Sequence, residues 1–149
     1  MTCRLLFIGA LLVGLGLWAE KKLELKNLPP AVQKTIQDQS KGDEVKSITQ
    51  ETEKGLTQYE VESMRNGKHR DFNVDTKGGL LEVEEETAFD SIPNAAKEAI
   101  TKKVAGGKLG RVETVTTMAG ATLYEAGYTA KNGKKHEVRV KPDGTEVRD

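Results

Sequence analysis

The chain has 149 residues, 31% charged and 36% hydrophobic, a balance that fits one soluble domain or two small ones. Lys plus Arg and Asp plus Glu both number 23, so no net field favours nucleic acid or an anionic membrane surface. Aromatic residues, at 5%, are too sparse for a base-stacking platform.

Residues 1–19 read as a signal peptide. Arg4 gives a positive start, Leu5 to Leu17 is an uninterrupted apolar run, and Ala19 is a small residue at the cleavage position. The run is shorter than the roughly 20 residues of a membrane span. Cys3, the only cysteine, precedes it. The mature chain is therefore expected to lack disulfides, a thiolate nucleophile and a cysteine metal site.

Glu20 to Asn27 is charged, with Leu23 and Leu25 its apolar members. A helix is predicted over Pro29–Ser40: proline suits the first turn, Val32 and Ile36 share a face, and Gly42 stops it. A β-branched strand follows at Val45–Thr49. Tyr59 and Val61 then alternate with Glu60 and Glu62, and Phe72 and Val74 alternate with Asp71, Asn73 and Asp75. Such period-2 patterns imply one buried face and one wet face. Asn66-Gly67 between them predicts a type I′ hairpin turn, and Lys77-Gly78-Gly79 a second turn. Leu81 and Val83 begin a last strand, and Glu82 to Glu86 becomes an acidic linker.

The order then recurs. A helix is predicted over Pro93–Ala105, capped by Asp90 or Ser91, striped by Ala96, Ile100 and Val104, and stopped by Gly106-Gly107. Val112 to Thr117 is β-branched. Tyr124, Ala126 and Tyr128 oppose Glu125, and Val138 and Val140 oppose Glu137, Arg139 and Lys141. Asn132-Gly133 and Pro142-Asp143-Gly144 supply the turns. Tyr59-Glu60 answers Tyr124-Glu125 and Gly78 answers Gly144, at an offset that drifts by one residue. The expected class is α+β, with two tandem repeats, each one helix packed on a four-stranded antiparallel sheet. The expected domains are 20–86 and 87–149.

Chemistry-bearing patterns are few. His69 and His136 fall out of register with each other, His69 on the wet face and His136 at the core rim, so they do not form a pair. Neither a Gly-x-Ser-x-Gly elbow nor a phosphate-loop lysine motif occurs. Gly106-Gly107-Lys108-Leu109-Gly110 follows a helix, so it has no helix N-terminus to offer an anion. Glu60, Glu62, Asp71, Asn73 and Asp75 could offer oxygen to calcium, but strand side chains at period 2 point in parallel rather than converging.

The helix with proline start, four strands, Tyr-Glu in the second strand, Asn-Gly-Lys turn and Val-x-Val before a turn glycine resemble the PepSY-like family. That family includes domains similar to the beta-lactamase inhibitor protein. The resemblance spans most of Leu28 to Asp149. It implies an exported, small α+β, non-catalytic protein, periplasmic or extracellular, that binds or inhibits another protein through a sheet surface. The missing cysteines and the lack of an aromatic cluster on the predicted open faces depart from the beta-lactamase inhibitor proteins.

The expected binding residues are Glu60, Glu62, Asp71 and Asp75 on an acidic face, with Lys135, Arg139 and Lys141 on a more basic one. The expected partner is an envelope or secreted protein. No catalytic residue, metal site, cofactor or nucleic-acid partner is expected, nor membrane binding by the mature form. An envelope small-ligand or cation-binding protein is the alternative.

Overall fold

The computed structural model describes residues 22–53 and 55–147. The signal-peptide reading at 1–19 lies outside them. The elements are α1 (Pro30–Gln39), β1 (Glu44–Glu53), β2 (Leu56–Arg65), β3 (Lys68–Asp75), β4 (Leu80–Glu86), α2 (Asn94–Val104), β5 (Lys108–Thr117), β6 (Thr122–Thr129), β7 (Lys135–Val140) and β8 (Glu146–Val147).

The eight strands form one antiparallel sheet in the order β1-β2-β3-β4-β5-β6-β7-β8. This corrects the expected α+β arrangement of two repeats, each with its own four-stranded sheet. Alternation along a strand reports which face is buried. It carries no information about which neighbour the strand edge meets, and that edge decides between two sheets and one.

The chain divides into two compact units, residues 22–85 with Thr117–Ala119, and residues 86–116 with 120–147. In the first, α1 buries Val32 and Ile36 against Ile48, Tyr59, Val61, Phe72 and Val74. Pro30 opens the helix and Ser40 closes it, its hydroxyl donating to the Ile36 carbonyl at 2.7 Å. In the second, α2 buries Ala96 and Ile100 against Val112, Ala126, Val138 and Val140. Tyr124, expected to be buried, is only half-buried. The helix is not capped by Asp90 or Ser91. Pro93 holds the N-cap position, and the Ser91 hydroxyl bonds the Ala88 carbonyl inside a 3-10 turn, Phe89–Ser91.

The two Asn-Gly turns differ. Asn66 (φ 53°) and Gly67 (φ 78°) both adopt the left-handed conformation that a two-residue type I′ turn requires. In the second hairpin only Gly133 has positive φ. Ala130 N–H donates to the Lys134 carbonyl at 2.8 Å, closing a three-residue loop. The Asn132 side chain accepts from the Lys134 amide at 3.0 Å. The extra loop residue is the one-residue drift seen in the sequence offset.

Candidate functional site

On the face of β1–β4 that points away from α1, the register sets polar side chains in cross-strand rows. Thr49, Glu60, Asn73 and Glu82 form one row, and Ser47, Glu62, Asp71 and Glu84 the next. Gln58 pairs with Glu51 on one side and Asp75 on the other. Carboxylates therefore meet on adjacent strands and along the same strand, an arrangement that is repulsive when all are ionised.

This face is less open than the alternation implies. Ser47, Thr49, Gln58 and Asp71 are buried, and Glu51, Glu60, Glu62 and Glu82 are half-buried. Burial raises the Glu60 pKa to about 9, helped by the charge of Glu51, a hydrogen bond to it, and the charges of Glu62 and Asp71. Glu60 thus keeps its proton at neutral pH. The Ser47 hydroxyl donates to Glu62, and the Ser63 amide donates to Asp71 at 3.3 Å. Asn73 Oδ1 is buried and accepts no hydrogen bond from the described residues. Asp75 stands apart. Its carboxylate accepts from the amides of Lys77 and Gly79, both at 2.8 Å, and so shapes the β3–β4 turn.

Within the second unit, Glu113 and Glu125 face each other across β5 and β6, each 5% exposed. Arg139, beside Glu125 on β7, reaches its Oε2 through both Nε and Nη2 at 2.7 Å. Arg111 lies 2.8 Å from Glu113. Of the residues expected to bind here, Arg139 is committed to this pair, while Lys135 and Lys141 are exposed. His136 stacks on Tyr128 at the rim, with ring centroids 5.4 Å apart, and His69 is exposed.

A buried ion cluster lies on the helix side of β2 and β3, where sequence reading placed none. The Asp43 side chain, fully buried, accepts from Arg65 Nε at 2.5 Å and Arg70 Nη1 at 3.1 Å. Both arginines also donate to the Gln39 carbonyl at 3.2 Å, satisfying an otherwise open acceptor at the end of α1. Arg70 lies over the Phe72 ring, 5.3 Å from its centroid. The signal was present in the sequence: Arg70 occupies the apolar phase of the Phe72 and Val74 alternation.

No family model matches the chain, and no curated protein does. Solved structures do. A protein of Bacteroides eggerthii, provisionally named periplasmic, aligns with a TM-score of 0.63 at 16% identity, covering 81% of this chain and 86% of that one. A DUF2874 family protein of Bacteroides uniformis gives 0.61 at 16% identity, covering 80% and 86%. A BLIP-like protein of Bacteroides fragilis gives 0.54 at 17% identity, covering 81% and 84%. The chain is similar in fold to these proteins, one of which is BLIP-like. The shared feature is the fold alone at such identities. PepSY is not among the names these structures carry, so that part of the resemblance rests on the sequence motifs. Among the described residues no helix is long and apolar enough to cross a membrane.

Proposed function

We propose that the chain is a periplasmic, non-catalytic binding module that engages another protein through the polar face of β1–β4. The periplasmic part rests on the signal-like N-terminus and on the provisional naming of the Bacteroides eggerthii protein. The binding part draws support from the BLIP-like fold of the Bacteroides fragilis protein.

The observation that carries the reading is the crowding around Glu60. A face that buries Glu60 and gathers Glu51, Glu62 and Asp71 around it crowds carboxylates closely enough in the free protein to keep Glu60 protonated. A basic partner relieves that crowding on docking, and perturbed carboxylates of this kind concentrate at functional positions. With few exposed aromatics to act as hot spots, charge sets orientation and encounter rate more than tight holding.

The test is capture of envelope proteins by the double reversal Glu60→Lys with Glu62→Lys, compared with Lys34→Glu and Lys97→Glu on the helices. Loss confined to the sheet-face variant, with a weaker salt dependence, supports the reading. Equal loss from both, or loss from the helix variant alone, rejects it.

One observation favours the second reading, a cation-binding envelope protein. Asn73 Oδ1, a neutral oxygen with no donor among the described residues, sits in a row between Glu60 and Glu82. Calcium bound there raises thermal stability, by an amount that grows with the logarithm of its concentration above the Kd. An unchanged melting curve at millimolar calcium removes this reading.

A further inference from the structure

The charge balance of zero conceals a segregation. Residues 20–86 carry fifteen acidic and eleven basic side chains, while 87–149 carry eight acidic and eleven basic. Within the second unit the fold gathers lysines at one end. Lys102 and Lys103 occupy the last turn of α2. Lys108 opens β5, and its register partner Thr129 is also the partner of Lys135 on β7. Lys108 and Lys135 therefore flank one residue on the same face, about 10 Å apart at the spacing of adjacent strands. Lys131 and Lys134 belong to the β6–β7 turn. The Lys131 side chain crosses the α2–β5 loop, so that a Cβ on Gly106 would lie 2.8 Å from its Cε. All six are exposed. Lys103 is paired with Glu146 at 2.7 Å, and among the described residues the other five have no ion pair.

We infer that this end of the second unit docks on an anionic lipid headgroup surface. Two features favour a lipid surface over a protein. The patch is lysine throughout, and lysine is a compact charge on a flexible stem that suits a diffuse anionic layer, whereas planar, bidentate recognition selects arginine. Large exposed hydrophobics are absent from it: those among the described residues are Val45, Leu56 and Met118, all in the other unit. Protein interfaces enrich aromatics and arginine and deplete lysine. Clusters of four to eight basic residues are the pattern that anionic headgroups hold. This inference does not rest on the sheet-face reading, because it uses other residues in the other unit.

The test is sedimentation of the full chain with vesicles of phosphatidylcholine alone or mixed with phosphatidylglycerol. The N-terminal apolar run meets both vesicle types, so the readout is the preference for the anionic one. That preference should be present at low salt and fall as salt screens the charges. The triple variant Lys108→Gln, Lys131→Gln, Lys135→Gln should lose it by roughly a hundredfold, about fivefold per lysine. The matching Lys→Arg triple should keep it. So should Lys34→Gln, Lys41→Gln, Lys46→Gln, whose lysines are already paired to Asp38 and Glu44, and the Glu60 and Glu62 reversal. Three results overturn the inference: equal affinity for the two vesicles, equal loss from the two glutamine triples, or displacement by inorganic phosphate beyond that by chloride of equal ionic strength, which identifies a discrete anion site instead.

Discussion

Glu60 on β2 and Glu51 on β1 are diagonal neighbours across the strand pair, since Glu51 pairs with Gln58 and Glu60 with Thr49. Burial first, and then the Glu51 charge beside it, push the Glu60 pKa up to about 9. Unlike an ordinary carboxylate, Glu60 binds its proton more tightly in the folded chain than in the unfolded one.

The sign of the pH dependence follows. Between pH 4.5, the unperturbed value, and about 9, the folded state holds more protons at Glu60 than the unfolded state does. Stability therefore falls as pH rises through that window. Glu60→Gln, which mimics the protonated form, should stabilise the protein at pH 8 by about 1–2 kcal/mol after discounting for solvent screening. The gain should shrink towards pH 5. Urea unfolding of both proteins at several pH values measures it, and a gain that does not change with pH contradicts the assignment.

Asp43 should be among the most sensitive polar positions. Asp43→Ala leaves Arg70, its side chain 7% exposed, without that counter-ion, and should cost about 3–5 kcal/mol. Combining it with Arg70→Met should recover part of the loss, because the uncompensated charge goes too. A denaturant-midpoint cycle over the two single variants and the double variant reads the coupling.

The core positions Ile36 and Ile100 are 1% and 0% exposed. Truncation of either to alanine should cost roughly 2–5 kcal/mol, by lost burial plus the cavity left behind. A loss below about 1 kcal/mol at either site would show that the helix does not close on its strands as described.

Gly78 lies in the left-handed region, and a Cβ there would fall 2.7 Å from the Ala31 carbonyl oxygen. Gly78→Ala should therefore destabilise more than Gly133→Ala, where φ is also positive but nothing lies within 4 Å. For Gly133→Ala a cost of about 1 kcal/mol is expected. Equal melting temperatures for the two variants would mean that the helix and the β3–β4 turn are not in contact.

Local signals carried well from sequence to structure. Pro30 at the first helical position and Pro93 at the N-cap mark helix starts because neither position uses its N–H in the helix. The apolar phases of β2, β3 and β7 mark core faces. Turn position was legible too, but turn length was not: Asn-Gly reads alike at 66 and 132, and the number of residues around it separates a two-residue loop from a three-residue one. The polar site was legible only as a list of carboxylates. Their cost depends on which rows they share and how deeply they sit, and register and burial appear only when the strands are paired. Asp43 shows the same limit. It reads as a loop residue after Gly42, and only the fold brings Arg65 and Arg70 to it.

Each strand of the sheet lies beside its sequence neighbours, and the hairpins close through loops of two or three residues at Asn66-Gly67, Gly78, Gly133 and Gly144. Short closures lose little chain entropy before their contacts form. About half the described residues are in strands, yet the pairings are local, so the chain should refold faster than β proteins whose partner strands are far apart in sequence. A stopped-flow refolding phase on the order of milliseconds is the expected rate for so local a topology.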